Sequence, residues 1–209
     1  MNNWEKIFSK EGNVFVKPHE DMPKLVKLLC KHNAKKILDV GCGTGRHLLY
    51  LSKKEFDVYG LDNSKTALKM ASLWLAKEEL KANLTNIDFY QTFTYSNNFF
   101  DAVISHNSIH HGTTNQVKKA IAEITRVIKK NGIIFITVPQ RHHKSSIQPN
   151  ASYKGKKIEE HVITPLAGPE QGIPHFYFNK KLIKEFFSDF ELQEIYTKNQ
   201  DYCILGFKK

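Results

Sequence analysis

The sequence predicts an α/β protein built on a doubly wound parallel sheet. Three observations carry that reading. Residues 37–45, Ile-Leu-Asp-Val-Gly-Cys-Gly-Thr-Gly, run from an apolar strand into a loop with glycine at every second position, and a helix follows. Strand-like and helix-like segments then alternate as far as Gly132, the pattern of a sheet covered on both faces. Last, Phe190–Tyr196 and Tyr202–Phe207, separated by a polar turn, read as a closing hairpin.

Taken in order, Trp4, Ile7, Phe8 and Phe15 form an aromatic lead-in whose composition is not that of a disordered tail. Pro18 to Cys30 reads as a helix with Leu25, Leu28 and Leu29 on one face. Ile37, Leu38 and Val40 make the first strand, and Arg46–Leu51 opens the helix after the glycines. Phe56–Leu61 is the second strand, and Ser64–Ala76 a helix. Leu84–Tyr90 reads as strand three and Phe100–Ser105 as strand four. Val117–Ile128 has helical spacing, Asn131-Gly132 supplies its stop, and Ile133–Val138 is strand five. Lys180–Phe187 is a last helix. Gln140–Phe178 is too long and irregular for a mere connection. Its prolines and glycines, with Tyr153, His161, His175, Phe176 and Tyr177, mark it as a cap facing a substrate.

The glycine loop narrows the chemistry. Gly41, Gly43 and Gly45 let the backbone pass close under a ligand, and the helix start behind them offers free N–H groups. A dinucleotide fingerprint requires G-x-G-x-x-G, whereas here the third glycine comes one residue early; no Gly-Lys-Ser/Thr of a P-loop follows. Asp62 ends the second strand, about 20 residues past the glycines, where a carboxylate can accept hydrogen bonds from ribose hydroxyls. It can equally cap the helix that follows, and both hold together if Ser64 is the cap.

The spacing Asp39-x-Gly41-x-Gly43-x-Gly45 resembles motif I of the class I S-adenosylmethionine (SAM) methyltransferases. The resemblance covers nearly the whole chain from about residue 15 and implies a Rossmann-like sheet of seven strands whose last strand is antiparallel. It implies one domain over residues 1–209, with 1–33 as a helical lead-in and 140–178 as a substrate-facing insertion. It also implies that Asp39 and the glycine loop face the methionine end of SAM, that Asp62 binds the ribose hydroxyls and that Asn63 lines the adenosine. The family's adenine-binding acid falls on Asp88 with one extra loop residue, Phe89 takes its slot without gaps, and a shorter loop gives Gln91. Ser105–Gly112, Glu123–Gly132 and Gly172–Phe178 look like a branch of small bacterial and archaeal methyltransferases, which implies the reaction type and not the acceptor.

Chemistry at the acceptor end falls to histidine. His106 and Asn107 border the methionine part of SAM in this reading. His110 or His111, and next His175, is the base that removes the acceptor's proton, since imidazole titrates near neutrality. The adjacent pair is set aside as a metal site, because consecutive side chains diverge and no fixed chelating spacing is present. No metal is expected.

Composition sets the remaining bounds. The 209 residues are 41% hydrophobic and 25% charged, ordinary for a soluble globular domain. No run approaches a membrane span, the first residues lack a signal peptide's apolar core, and Cys30, Cys42 and Cys203 form no CxxC pair. A cytoplasmic protein is expected, with no membrane partner. The net charge of +10 is spread over most helices, with one concentration at Arg141-His142-His143-Lys144, Lys154, Lys156 and Lys157. The preferred acceptor is a small molecule. That patch keeps a tRNA or rRNA acceptor in play, and the absence of an Asn/Asp-Pro-Pro-Tyr/Phe motif keeps open a non-catalytic SAM-binding partner subunit.

Overall fold

The computed structural model describes residues 3–13, 15–140 and 155–209. Its elements in chain order are α1 (Asn3–Glu11), α2 (Met22–Lys31), β1 (Lys36–Val40), α3 (Arg46–Ser52), β2 (Asp57–Asp62), α4 (Lys65–Lys77), β3 (Asn83–Asn86), β4 (Phe100–His106) and α5 (Thr114–Val127). They continue with β5 (Ile128–Pro139), β6 (Gly155–Glu159), β7 (Val162–Pro165), β8 (His175–Phe176), α6 (Lys180–Phe186), β9 (Phe190–Lys198) and β10 (Asp201–Lys208).

Seven strands form one sheet in the order β3-β2-β1-β4-β5-β10-β9. The pairings β2–β3, β1–β2, β1–β4 and β4–β5 are parallel, while β10 runs antiparallel to both β5 and β9. The expected doubly wound sheet with an antiparallel last strand is therefore what the chain forms. Because side chains alternate across a strand, neighbours in sequence serve opposite layers. Leu38, Val103, Ile134 and Ile204 pack with Val117, Ile121 and Ile124 of α5. Ile37, Ile104, Phe135 and Leu205 pack with Leu25 and Leu29 of α2 and with Leu48 and Leu51 of α3. The central strands β1, β4 and β5 are apolar on both faces because each face is covered by helices, whereas the edge strands β3 and β9 are largely polar.

Several boundaries differ from expectation. α2 starts at Met22 rather than Pro18, with Pro23 in its first turn, where a missing N–H costs nothing. β3 stops at Asn86 rather than Tyr90 because the chain turns at Asp88: its carboxylate accepts the Tyr90 N–H at 3.1 Å and its carbonyl the Gln91 N–H at 2.9 Å. α5 begins earlier, at a capping box of Thr113 and Gln116. It ends at Val127, not at the Asn131-Gly132 stop. The Phe99 N–H donates to the Val127 carbonyl at 2.7 Å and Ile128 already pairs with Phe100, so β4 draws the chain straight from helix into strand. Asn131, with φ +60°, and Gly132 instead form an irregularity inside β5.

The insertion is less loop-like than its composition suggests. β6, β7 and β8 form a three-stranded antiparallel sheet. It is seated on the main sheet where the Phe176 N–H donates to the His110 carbonyl at 2.7 Å and the Thr114 hydroxyl binds the Glu159 carboxylate. Arg141, His142, His143, Lys144, Tyr153 and Lys154 lie outside the described residues; Lys156 and Lys157 are exposed on β6. Among the described residues no helix is long and apolar enough to cross a membrane.

Candidate active site

A cavity of about 510 Å³ lies over the carboxyl ends of β1, β2 and β4, where ligands bind in such sheets. The glycine loop forms its floor. Gly41 has φ +74°, and a Cβ there would lie 2.4 Å from Cβ of Ser108, so only glycine lets the loops after β1 and β4 touch. Gly43 also has positive φ, +53°, yet the nearest atom to a Cβ there is Phe8 Cζ at 3.5 Å, leaving space above the backbone. Gly45 is turned away from the cavity toward Ala71 of α4.

Asp62 ties β2 to this loop. One carboxylate oxygen accepts the Gly43 N–H at 2.9 Å, the other the Ser64 N–H at 2.9 Å. Burial pushes its pKa up to about 6 despite these bonds. Ser64, not Asp62, caps α4 by accepting the Ala67 N–H at 3.0 Å, and Asp62 lines the cavity. Asp39 lies beneath the loop rather than on the cavity wall, 1% exposed, and neither carboxylate oxygen receives a hydrogen bond. His47 Nδ1 is 3.7 Å away, while His47 Nε2 accepts the His19 N–H at 3.1 Å. Asn63 and Phe89 line the cavity; Asp88 stands behind them, 3.4 Å from the Asn63 amide.

His106 sits at the end of β4, its Nδ1 2.7 Å from the Thr137 hydroxyl. Burial, followed by the charges of His47 and Arg46, holds its pKa well below the usual histidine range. At the far end, His110, His111 and His175 converge. Their ring centroids are 3.8 Å (110–111), 4.8 Å (111–175) and 5.4 Å (110–175) apart, so the adjacent pair does not diverge. A tight turn is the cause: Gly112 N–H donates to the His110 carbonyl and His111 N–H to the Ser108 carbonyl, both at 3.0 Å. His111 Nδ1 also lies 3.1 Å from the Ser108 carbonyl oxygen. A carbonyl only accepts, so Nδ1 carries the proton and Nε2 is the basic atom. Burial, then His175, keeps the His111 pKa well below its ordinary value.

The structure also brings to the site residues that the sequence did not assign to it, among them Glu170, Glu5 and Asp201. Glu170, in the turn between β7 and β8, is buried with Oε2 3.6 Å from His175 Nε2, and burial raises its pKa to about 7. Trp4 of α1 meets the His111 ring edge-on at 4.9 Å. α1 is held over the site because Glu5 accepts the Ser64 hydroxyl at 2.6 Å and the Thr66 N–H at 3.2 Å. Asn107 donates to Asp201 at 2.6 Å, bringing the start of β10 to the rim. These contacts join residues far apart in the chain and leave no local sequence signal. Phe15, His19 and Tyr177 line the cavity, whereas His161, half-buried, is not among its lining residues.

The doubly wound sheet thus places a glycine loop beneath a cavity lined by Asp62, Glu170 and Asp201. Residues 37–132 match the family model described as a methyltransferase domain. A glycine/sarcosine N-methyltransferase of Aphanothece halophytica is 29% identical over 136 residues, 64% of this chain and 48% of that protein. A tRNA (carboxymethyluridine(34)-5-O)-methyltransferase of Arabidopsis thaliana is 36% identical over 129 residues, 60% of this chain and 30% of that protein. The chain thus spans half or less of the length of these two relatives. The crystal structure of an S-adenosylmethionine-dependent methyltransferase from Clostridium acetobutylicum superposes with a TM-score of 0.72 at 13% identity, covering 99% of this chain and 98% of that one. Residues 37–132 are thus similar to a methyltransferase domain, and the chain shares the fold of the solved SAM-dependent methyltransferase.

Proposed function

We propose that the protein transfers the methyl group of SAM to a small-molecule acceptor, leaving S-adenosylhomocysteine. The observation that carries this reading is one cavity lined by the glycine loop, Asp62 and a buried histidine cluster. Its volume of about 510 Å³ falls in the range of small-molecule sites.

The residues present fit the cofactor. Gly41, Gly43 and Gly45 shape the loop beneath it, and the unbonded, buried carboxylate of Asp39 places negative charge under the cofactor's ammonium. Asp62 keeps lone pairs beyond those given to Gly43 and Ser64, and these receive the ribose hydroxyls. Asn63 and Phe89 flank the adenine, with Asp88 orienting Asn63, and His106 borders the methionine portion. When bound, SAM supplies a methyl group on a sulfonium, which an acceptor lone pair takes in line as the carbon–sulfur electrons return to sulfur.

The protein's own part is to hold the acceptor, take its proton and keep water out. His111 Nε2, neutral because of burial, is the proton acceptor, with His110 and His175 packed against its ring. Trp4, Phe8, Phe15 and Tyr177 close the roof. The cavity's modest volume favours a small acceptor, and the relative named for glycine and sarcosine supports that class. The relative named for a tRNA uridine and the chain's net charge of +10 favour the second reading, a tRNA or rRNA acceptor. Three free cysteines, Cys30, Cys42 and Cys203, fit a reducing, cytoplasmic setting.

Calorimetric titration with S-adenosylhomocysteine tests the cofactor half directly. Micromolar binding is expected and justifies a screen of small acceptors. No binding overturns the roles of Asp39, the glycine loop and Asp62 together.

A further inference from the structure

We propose that His110, His111 and His175 bind a divalent transition-metal ion, zinc being the ion their chemistry suits best. The inference rests on assigning this end of the cavity to the acceptor. One ligating nitrogen from each ring lies within 4.8 Å of the other two. Tetrahedral zinc holds nitrogens at about 2.1 Å from the metal and so about 3.4 Å from one another, a closure that small ring rotations accomplish. Glu170 Oε2, 3.6 Å from His175 Nε2, stands beside the cluster and can orient the His175 ring. Three imidazoles suit zinc and leave its fourth position open for an acceptor, whereas magnesium and calcium take oxygen shells.

Two features go beyond proximity. His111 Nδ1 donates to the Ser108 carbonyl, the kind of outer hydrogen bond that orients a metal-bound imidazole and leaves Nε2 for the ion. All four side chains also line the cavity while being 4–7% exposed. They come from two separate loops, since Glu170 and His175 belong to the small sheet of the insertion and His110 and His111 to the turn after β4. An ion there would fasten the insertion to the main sheet. It would also bind the acceptor's thiol or hydroxyl as the anion, its proton leaving to solvent, so that His111 need not take it. The acceptor class this favours is a small thiol or alcohol.

Chelator-treated full-length protein titrated with Co²⁺ provides the test. One equivalent should bind with visible ligand-field absorption and be displaced by Zn²⁺. His175→Ala should weaken that binding by about tenfold or more, and His161→Ala should leave it unchanged. If His175→Ala does not fold, X-ray absorption of the zinc-loaded wild type decides, with three imidazoles expected around zinc. No stoichiometric Co²⁺ binding, undiminished binding by His175→Ala, or fewer than three imidazoles overturns the metal site and leaves the cluster as a metal-free base. S-adenosylhomocysteine binding measured on the same samples separates the two readings. Its persistence without Co²⁺ binding removes only the metal, whereas its absence alongside Co²⁺ binding removes only the cofactor assignment.

Discussion

The Asp62 carboxylate accepts the Gly43 N–H at 2.9 Å, so the end of β2 holds the glycine loop in the shape it presents to the cavity. One residue thus orders the loop and offers its remaining lone pairs to a ligand. Asp62→Ala should weaken S-adenosylhomocysteine binding by about 1–3 kcal/mol, from lost ribose hydrogen bonds and a loosened loop. Unchanged affinity by calorimetry, in a variant with native circular dichroism, refutes the ribose role.

The same carboxyl carries a pH signature. Its pKa is raised to about 6 by burial, and only the ionised form offers full acceptor capacity to ribose hydroxyls. Affinity for S-adenosylhomocysteine should therefore fall as pH drops through about 6. A flat profile between about pH 5 and pH 8 would count against Asp62 as the ribose ligand.

Glu170 makes a prediction about stability. Its folded pKa of about 7 lies above the ordinary 4.5, so between those values the native state keeps a proton that the unfolded chain has lost. Stability from this group is present at low pH and is lost as pH rises toward 7. Glu170→Gln removes the titration. In chelator-treated samples the Tm of the variant minus that of the wild type should grow from about pH 5 to about pH 8. A difference that stays constant or shrinks contradicts the burial argument.

The glycines separate strain from space. Gly43→Ala should cost about 1–2 kcal/mol for its left-handed backbone while impairing S-adenosylhomocysteine binding, because its Cβ enters open space at the loop. Gly41→Ala bears the same strain and adds an overlap at 2.4 Å with Ser108, so its loss in urea unfolding should be the larger. Equal losses would mean that the loop after β4 yields.

Salt distinguishes the acceptor classes. Turnover of a small acceptor in the enclosed cavity should change little as salt rises. An RNA acceptor would bind through released counterions, and its apparent affinity would fall steeply with the logarithm of salt concentration. A steep slope with tRNA, together with inactivity on small acceptors, would replace the small-molecule reading.

Sequence alone determined what local chemistry controls. Alternating apolar strands and helices dictated the layered sheet, since Ile37 and Leu38, or Ile134 and Phe135, must be buried on opposite faces. Glycine spacing determined the loop, because only glycine adopts its left-handed angles at the close approach to Ser108. Ser64 was legible as a cap from its place before an apolar helix. Tertiary structure decided whatever depends on distant segments. The Phe99–Val127 bond ends α5 before the Asn131-Gly132 signal can act, and the turn at Asp88 shortens β3. Asp39 lies under the loop instead of facing the cavity, because strand alternation sets only a side and not a depth. The joining of His110 and His111 with His175 and Glu170 follows from the small sheet docking through Phe176. No spacing in the chain encodes that contact, since it arises only where the small sheet packs against the turn after β4.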